Sequence, residues 1–135
     1  MSRQALKAFD AQLMFWDDED LSSSWTVTTK NSSSVDLGDA DMNPANPPVV
    51  QICFEDVTSG GSATIQLGLE DSADDSTFAD YAPCLNLGGD IAYNSAELAN
   101  VQFALPDTGL RRYVRLTAQV KTAALTGGTL NAGLV

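Results

Sequence analysis

Apolar and polar residues alternate along most of the chain with a period of two, which is the pattern of a β-strand with one buried face. Clusters of Gly, Pro, Asn, Asp and Ser separate the alternating runs. Seven or eight short strands with turns between them predict an all-β fold, an antiparallel β-sandwich of the jelly-roll type. The alternating positions of the runs are Trp25-Val27-Thr29, Val35-Leu37, Val50-Ile52-Phe54, Ile65-Leu67-Leu69, Leu85-Leu87, Val101-Phe103-Leu105, Val114-Leu116-Ala118-Val120 and Leu130-Ala132-Leu134.

Turn chemistry fills the gaps between the predicted strands. Residues 39–48 hold three prolines and are predicted to be a loop. Residues 71–76 and 106–109 are predicted to be polar turns, and residues 95–100 are a short helical candidate. The glycine pairs at 60–61, 88–89 and 127–128 are not followed by a helix. We therefore interpret each pair as a hairpin turn and not as a phosphate-binding loop.

The first twenty residues follow a different pattern. Leu6, Phe9, Leu13 and Trp16 have the spacing of a helical stripe, but an extended arm that becomes ordered on a partner fits equally well. We therefore expect residues 1–20 to form an N-terminal arm and residues 21–135 to form the jelly-roll domain. The apolar run at residues 13–16 is too short for a secretory signal or a membrane span, so neither is expected.

The composition is that of a globular protein with an acidic surface. Hydrophobic residues make up 44% of the chain and charged residues 19%, and the net charge is −11. This charge argues against binding to nucleic acid, which needs clustered Lys and Arg, and against binding to anionic membranes. It permits a protein partner with basic patches.

Catalysis is not expected. The chain has no histidine, which removes the commonest general base and transition-metal ligand, and no lysine lies in a Ser-x-x-Lys motif. The acidic stretches at 70–75 and 36–41 lack the EF-hand spacing, so we interpret them as turn-forming loops, with a weak calcium site as the alternative. Cys53 and Cys84 are expected to be buried and reduced. We expect no cofactor and no metal.

Two positions are candidates for a protein contact. Tyr113 and Arg115 fall on the polar side of their strand, and both residue types are common at interface hot spots. The aromatic residues also allow a second interpretation, a sugar-stacking platform that includes Trp16 and Trp25. Two exposed tryptophans favour the platform, whereas one or none favours a core and a protein clamp.

Several segments resemble a known family. Residues 65–78 (IQLGLEDSADDSTF) look like a strand and acidic loop of the small jelly-roll capsid cement, or decoration, proteins of tailed bacteriophages. Leu105-Pro106 and the run Arg112-Tyr113-Val114-Arg115-Leu116 are similar to a turn and strand of the same family, and residues 6–12 resemble its start. The proline-rich loop at 43–48 and the acidic run at 17–20 depart from the family pattern.

The resemblance implies a virion structural protein that binds the outside of the assembled capsid and cements neighbouring major capsid protein subunits. It also implies self-association as a homodimer or homotrimer, synthesis in the host cytoplasm and a final location on the outer capsid surface. In this interpretation the apolar residues of the arm anchor it on a neighbour. The expected contact residues are Leu6, Phe9, Leu13, Phe15, Trp16, Tyr113 and Arg115. The alternatives are a carbohydrate- or receptor-binding module and another virion part.

Overall fold

The computed structural model describes residues 13–22, 25–37, 48–82, 90–105 and 110–134. Within these ranges the chain forms ten β-strands and one turn of 3-10 helix at Ala96–Ala99. The strands are β1 (Met14–Asp20), β2 (Thr29–Asn31), β3 (Val35–Asp36), β4 (Val49–Ser59), β5 (Thr64–Ser72), β6 (Ala79–Ala82), β7 (Ile91–Ala92), β8 (Val101–Ala104), β9 (Tyr113–Lys121) and β10 (Leu125–Leu134).

The strands form two antiparallel sheets. Sheet A has the order β1-β10-β4-β8, and sheet B has the order β2-β9-β5-β6, with β3 also paired to β9 and β7 to β5. If β2 with β3 and β6 with β7 are each taken as one interrupted strand, successive strands pass between the sheets except at β5 and β6, which pair within sheet B, as in a double Greek key. The predicted antiparallel sandwich of the jelly-roll type is therefore confirmed.

The core lies between the two sheets because each strand turns its apolar positions inward. On β9, Val114, Leu116, Ala118 and Val120 are fully buried, as the alternation predicts. The corresponding positions on β4, β5 and β10 are buried in the same cluster. Strands β4, β5, β8, β9 and β10 thus occur where the sequence places them.

The N-terminal boundary differs from the expectation of an arm over residues 1–20. Residues 14–20 are strand β1, which pairs with β10 through Met14–Gly133 and Trp16–Ala132. The register then shifts, and Asp18 has a positive φ of 51°. Because this bulge interrupts the period of two, the sequence pattern of β1 does not resemble a strand. Residues 1–12 lie outside the described residues.

The strand predicted at Trp25 starts later than expected. Residues 26–28 form bends, and regular pairing with β9 begins at Thr29. Val27, expected on an apolar face, is 57% exposed. Trp25 is nevertheless in the core, where its carbonyl accepts a hydrogen bond from the Leu125 amide. The apolar alternation was therefore a correct guide to Trp25 but not to Val27.

The glycine pair at 127–128 is a correction to the sequence analysis. It lies inside β10 at two register shifts opposite β4 and not in a hairpin turn. Gly128 has φ +121°, and a Cβ there would meet the backbone of Glu55 and Val57 at 2.9 Å. Glycine is needed because the two backbones approach too closely for a side chain. The pair at 60–61, in contrast, does connect β4 to β5 in a turn.

The remaining expectations have mixed outcomes. The helical candidate at 95–100 contains the 3-10 turn, which Ser95 caps by accepting a hydrogen bond from the Glu97 amide. Strands β6 and β7 were not predicted. The loop expected at 39–48, apart from its last residue, the strand at Leu85–Leu87, the turn at 106–109 and the glycine pair at 88–89 lie outside the described residues.

Candidate interaction surface

The outer face of sheet B carries Tyr113 and Arg115, both predicted as contact residues. The β5–β9 register places Tyr113 opposite Ser72 and Arg115 opposite Glu70. Since their neighbour Val114 is turned into the core, both side chains lie on the outer side of the sheet. The sequence alternation therefore assigned their face correctly.

Arg115 is held in place by two contacts. Its Nε donates to Glu70 Oε1 at 2.6 Å, and its guanidinium carbon lies 4.1 Å from the centre of the Phe78 ring. The arginine and glutamate side chains are only 24% and 17% exposed. This partial burial favours both the ion pair and the cation–π contact, because solvent screens them less. Arg115 is thus a well-oriented residue on this face.

Arg112 extends the same surface toward strand β3. Its Nε and Nη2 donate to the two carboxylate oxygens of Asp36, each at 2.8 Å, which is a bidentate arrangement. Its guanidinium carbon also lies 5.2 Å from the centre of the Tyr113 ring. Arg112, Tyr113 and Asp36 therefore form a second ordered group beside Arg115.

A third arginine fixes the edge of this surface. Arg111 donates from its backbone amide, Nε and Nη2 to the carboxylate of Asp71, and Nη2 also donates to the Asp71 carbonyl. These hydrogen bonds to Arg111 hold the pKa of the Asp71 carboxyl below its ordinary value, against the opposing effect of desolvation. The buried carboxylate thus ties the start of β9 to the end of β5.

A shallow polar depression lies between these arginines and the other end of sheet B. Hydroxyl, amide and carboxylate side chains from β2, β9, β5 and β6 line it. Gly68, which faces outward opposite Thr117, leaves this part of the sheet without a side chain on β5. The lining residues are Thr29, Gln66, Glu70, Asp80, Thr117 and Gln119.

The acidic loop after β5 is organised by its own hydrogen bonds. Asp74 Oδ1 accepts from the Ser72 hydroxyl and from the amides of Ser76 and Thr77 at 2.8–3.0 Å. These bonds hold the Asp74 pKa below its ordinary value. The loop therefore has the turn-forming role predicted for it. Within the described ranges, no group of three or more His, Cys, Asp or Glu is arranged to hold a metal ion.

The predicted anchors of the arm are not brought together on the surface. Phe15 and Trp16 are buried, 2% and 6% exposed, and Leu13 is partly buried against the same core. The Trp16 and Trp25 rings lie 5.6 Å apart, and Trp25 Nε1 donates to Glu19 Oε2 at 3.2 Å. The physical reason is that β1 pairs with β10 and turns these aromatic side chains inward. Leu6 and Phe9 lie outside the described residues.

Cys53 is buried as a free thiol on the outward side of β4. Desolvation, with a smaller contribution from the charge of Glu55, raises its pKa to about 11. A thiol with this pKa is a poor nucleophile at neutral pH. The prediction that Cys53 is buried and reduced is confirmed, and Cys84 lies outside the described residues.

Sequence reasoning missed the partners of the arginines. Residues 70 and 115 are 45 positions apart, and residues 71 and 111 are 40 apart. The sequence contains one signal for these ion pairs: two alternating runs, which could pair as strands, each have charged residues at one end. Only the register of β5 against β9 determines which charges meet.

The described fold and surface define a class: a jelly-roll β-sandwich with an ordered, arginine-containing face and a buried aromatic core. Within the described residues, no helix has the length and hydropathy needed to cross a membrane. No curated protein matches the chain. The model of the Bbp16 family matches residues 19–134, which is most of the chain. The protein belongs to the Bbp16 family.

Proposed function

We propose that this protein is a virion structural protein that binds the outer surface of an assembled phage capsid and cements neighbouring major capsid protein subunits. The proposal combines the resemblance of several segments to capsid cement proteins with the jelly-roll fold. The proposed role is binding through a surface and does not involve a catalytic step. The name of the Bbp16 family agrees with a phage origin.

One observation carries the proposal. Two of the segments that resemble cement proteins, residues 65–78 and 112–116, are far apart in sequence but form adjacent strands. Their side chains meet in the Arg115–Glu70 ion pair and the contact between Arg115 and Phe78. The resemblance therefore maps to one continuous surface, as expected for a shared binding role.

The geometry suits a clamp. Ion pairs fix Arg112 and Arg115 before any partner binds, so little side-chain entropy is lost on association. A protein that binds only the expanded capsid lattice stabilises that lattice by mass action. Contacts to more than one subunit at once raise the effective affinity, because the second contact forms at high local concentration. Self-association of the protein, as a dimer or trimer, would increase this effect further.

The proposed N-terminal arm is limited to residues that precede strand β1. Because residues 14–20 belong to sheet A, deletion of residues 2–16 would remove paired strand residues as well as the arm. Deletion of residues 2–12, which includes Leu6 and Phe9, is the cleaner test. We expect it to weaken capsid binding and to leave the unfolding midpoint in urea unchanged. Unchanged capsid binding would refute the anchoring role of these two residues.

The carbohydrate- or receptor-binding alternative has one observation in its favour, the polar depression on sheet B. Its amide and hydroxyl side chains are of the kinds that bind sugar hydroxyls. However, Trp16 and Trp25, the residues proposed for a stacking platform, are both in the core. Binding of glycans in an array, lost in Gln66→Ala but kept in Val27→Ala, would favour this alternative.

The first experiment is co-sedimentation of the purified protein with expanded and with immature capsids that lack it. We expect the protein to pellet with expanded capsids only. Tyr113→Ala should weaken this binding, whereas Val27→Ala, which removes an exposed side chain remote from sheet B's arginines, should not. Light scattering after size exclusion gives the oligomeric state. A protein that stays in solution with both kinds of capsid would refute the proposal.

A further inference from the structure

Charge is divided unequally between the two sheets. All five lysines and arginines among the described residues lie on β2, on β9 or just before β9, and four of them form ion pairs there. In the described part of the chain, the four strands of sheet A contain no lysine or arginine. They contain six carboxylates: Asp17, Asp18, Glu19, Asp20, Glu55 and Asp56.

The strand register brings two of these carboxylates into one row. Asp20 pairs with Thr129, and Thr129 pairs with Glu55, so one row across β1, β10 and β4 has a carboxylate at each end. Asp56 follows at the bulge of β4, and the bulge of β1 presents Asp17 and Asp18. We call these residues, 17, 18, 20, 55 and 56, the sheet A acidic cluster. Four of the five are exposed to solvent, and Glu55 is partly buried.

A buried amide inside the cluster has an incomplete set of hydrogen bonds. Asn131 is 1% exposed, and its Oδ1 accepts from the Asp18 amide at 2.8 Å, so its side chain points toward the β1 bulge. Its Nδ2 has no hydrogen-bond partner. A buried donor without an acceptor is costly, so a partner that supplies an acceptor oxygen as the bulge adjusts would recover this free energy.

We propose that the sheet A acidic cluster is a second docking face, which binds a lysine- or arginine-rich surface of a neighbouring major capsid protein subunit. This inference rests on the proposed function. A cement protein with two separate contact faces can hold two subunits together through a single copy. Sheet B offers an ordered face whose arginines are already paired, whereas sheet A offers concentrated negative charge and an unsatisfied donor.

Charge complementarity selects this occupant over a second copy of the chain. The protein has a net charge of −11, so two copies placed cluster to cluster would repel each other. A basic protein surface is attracted at long range and can also provide backbone carbonyl oxygens for Asn131. The cluster therefore fits a partner that carries positive side chains on an exposed backbone segment.

The test compares two double variants in co-sedimentation with expanded capsids that lack the protein. Asp17→Asn with Asp56→Asn removes two charges from the cluster, and Asp90→Asn with Glu97→Gln removes two elsewhere, outside the segments that resemble cement proteins. The pairs are matched in charge and in exposure, and Asp56 has a positive φ of 56°. Asparagine accepts this conformation better than most residues. All four side chains are exposed, so both variants are expected to fold.

We expect the cluster variant to bind roughly fivefold more weakly than wild type, on the scale of surface ion pairs, and the control variant to bind like wild type. Wild-type binding should also weaken as salt is raised. If wild type pellets and both variants bind equally well, the second docking face is refuted and the cement function stands. If the cluster variant changes the oligomeric state measured by light scattering, the occupant is a second copy and the inference is wrong. If wild type does not pellet, the proposed function itself fails.

Discussion

Replacement of Gly128 by alanine should strongly destabilise the sandwich. The residue has φ +121°, and an added Cβ would lie 2.9 Å from Glu55 O and Val57 Cα, which are backbone atoms that cannot rotate away. Backbone strain of this kind costs about 1–3 kcal/mol. Overpacking adds about 1–3 kcal/mol. We therefore expect the free energy of unfolding to fall by about 3 kcal/mol or more, a large part of a typical total of about 5–15 kcal/mol.

The measurement is urea unfolding followed by tryptophan fluorescence, since Trp16 and Trp25 are both buried in the folded protein. Gly60→Ala is the matched control, because its Cβ would meet only the Thr126 side chain, at 3.9 Å. The control should change the free energy of unfolding by less than about 0.5 kcal/mol. A Gly128→Ala variant within about 1 kcal/mol of wild type, with an unchanged denaturant slope, would refute the close approach of β4 and β10 described above.

Three further predictions follow from buried groups. Asp71→Asn should lower the free energy of unfolding at pH 7 by about 2 kcal/mol, because Arg111 loses its charged partner. The folded-state pKa of Asp71 is lowered, so its contribution to the free energy of unfolding is fully present above the unfolded pKa of about 4. This contribution is lost as the pH falls below that value. The urea midpoints of variant and wild type should therefore converge in acid. Equal slopes against pH would contradict this assignment. Iodide should quench the fluorescence of the folded protein only weakly, because Trp16 and Trp25 are in the core; two fully quenched tryptophans would disprove their burial. Cys53, with a pKa of about 11, should react with a disulfide reagent at pH 8 only after unfolding, as measured in a variant whose other cysteine is serine; rapid reaction of the folded protein would show that the thiol is accessible.

Strands whose pattern is unbroken could be predicted from the sequence. The runs in β4, β5, β9 and β10 keep one apolar face over several residues, and their inward positions are buried as expected. Strand β1 could not be predicted, because its bulge at residues 17–18 depends on pairing with β10, more than a hundred positions away. Strand β6, Ala79–Ala82, has only four residues and shows no alternation of apolar and polar positions, so its pairing with β5 leaves a weak local signal.

The candidate site was predictable in part for the same reason. Alternation alone placed Tyr113 and Arg115 on the outer face of sheet B. Alternation could not identify Glu70 or Phe78 as the partners of Arg115, because these contacts depend on the register between strands. The interpretation of residues 1–20 as an arm assigned Phe15 and Trp16 to a surface role, because a short apolar run before acidic residues has no period that distinguishes an arm from a core strand.

The position of β10 in the middle of sheet A has a consequence for biosynthesis. This strand lies between β1 and β4, so until β10 has left the ribosome β1 has no neighbour in sheet A and β4 can pair only with β8. While the chain is being made, sheet A is therefore divided into two unconnected parts. We therefore expect translation intermediates that end before Leu125 to depend on chaperones. Sheet A can therefore be completed only after β10 has been synthesised, with rates typical of long-range β-pairing.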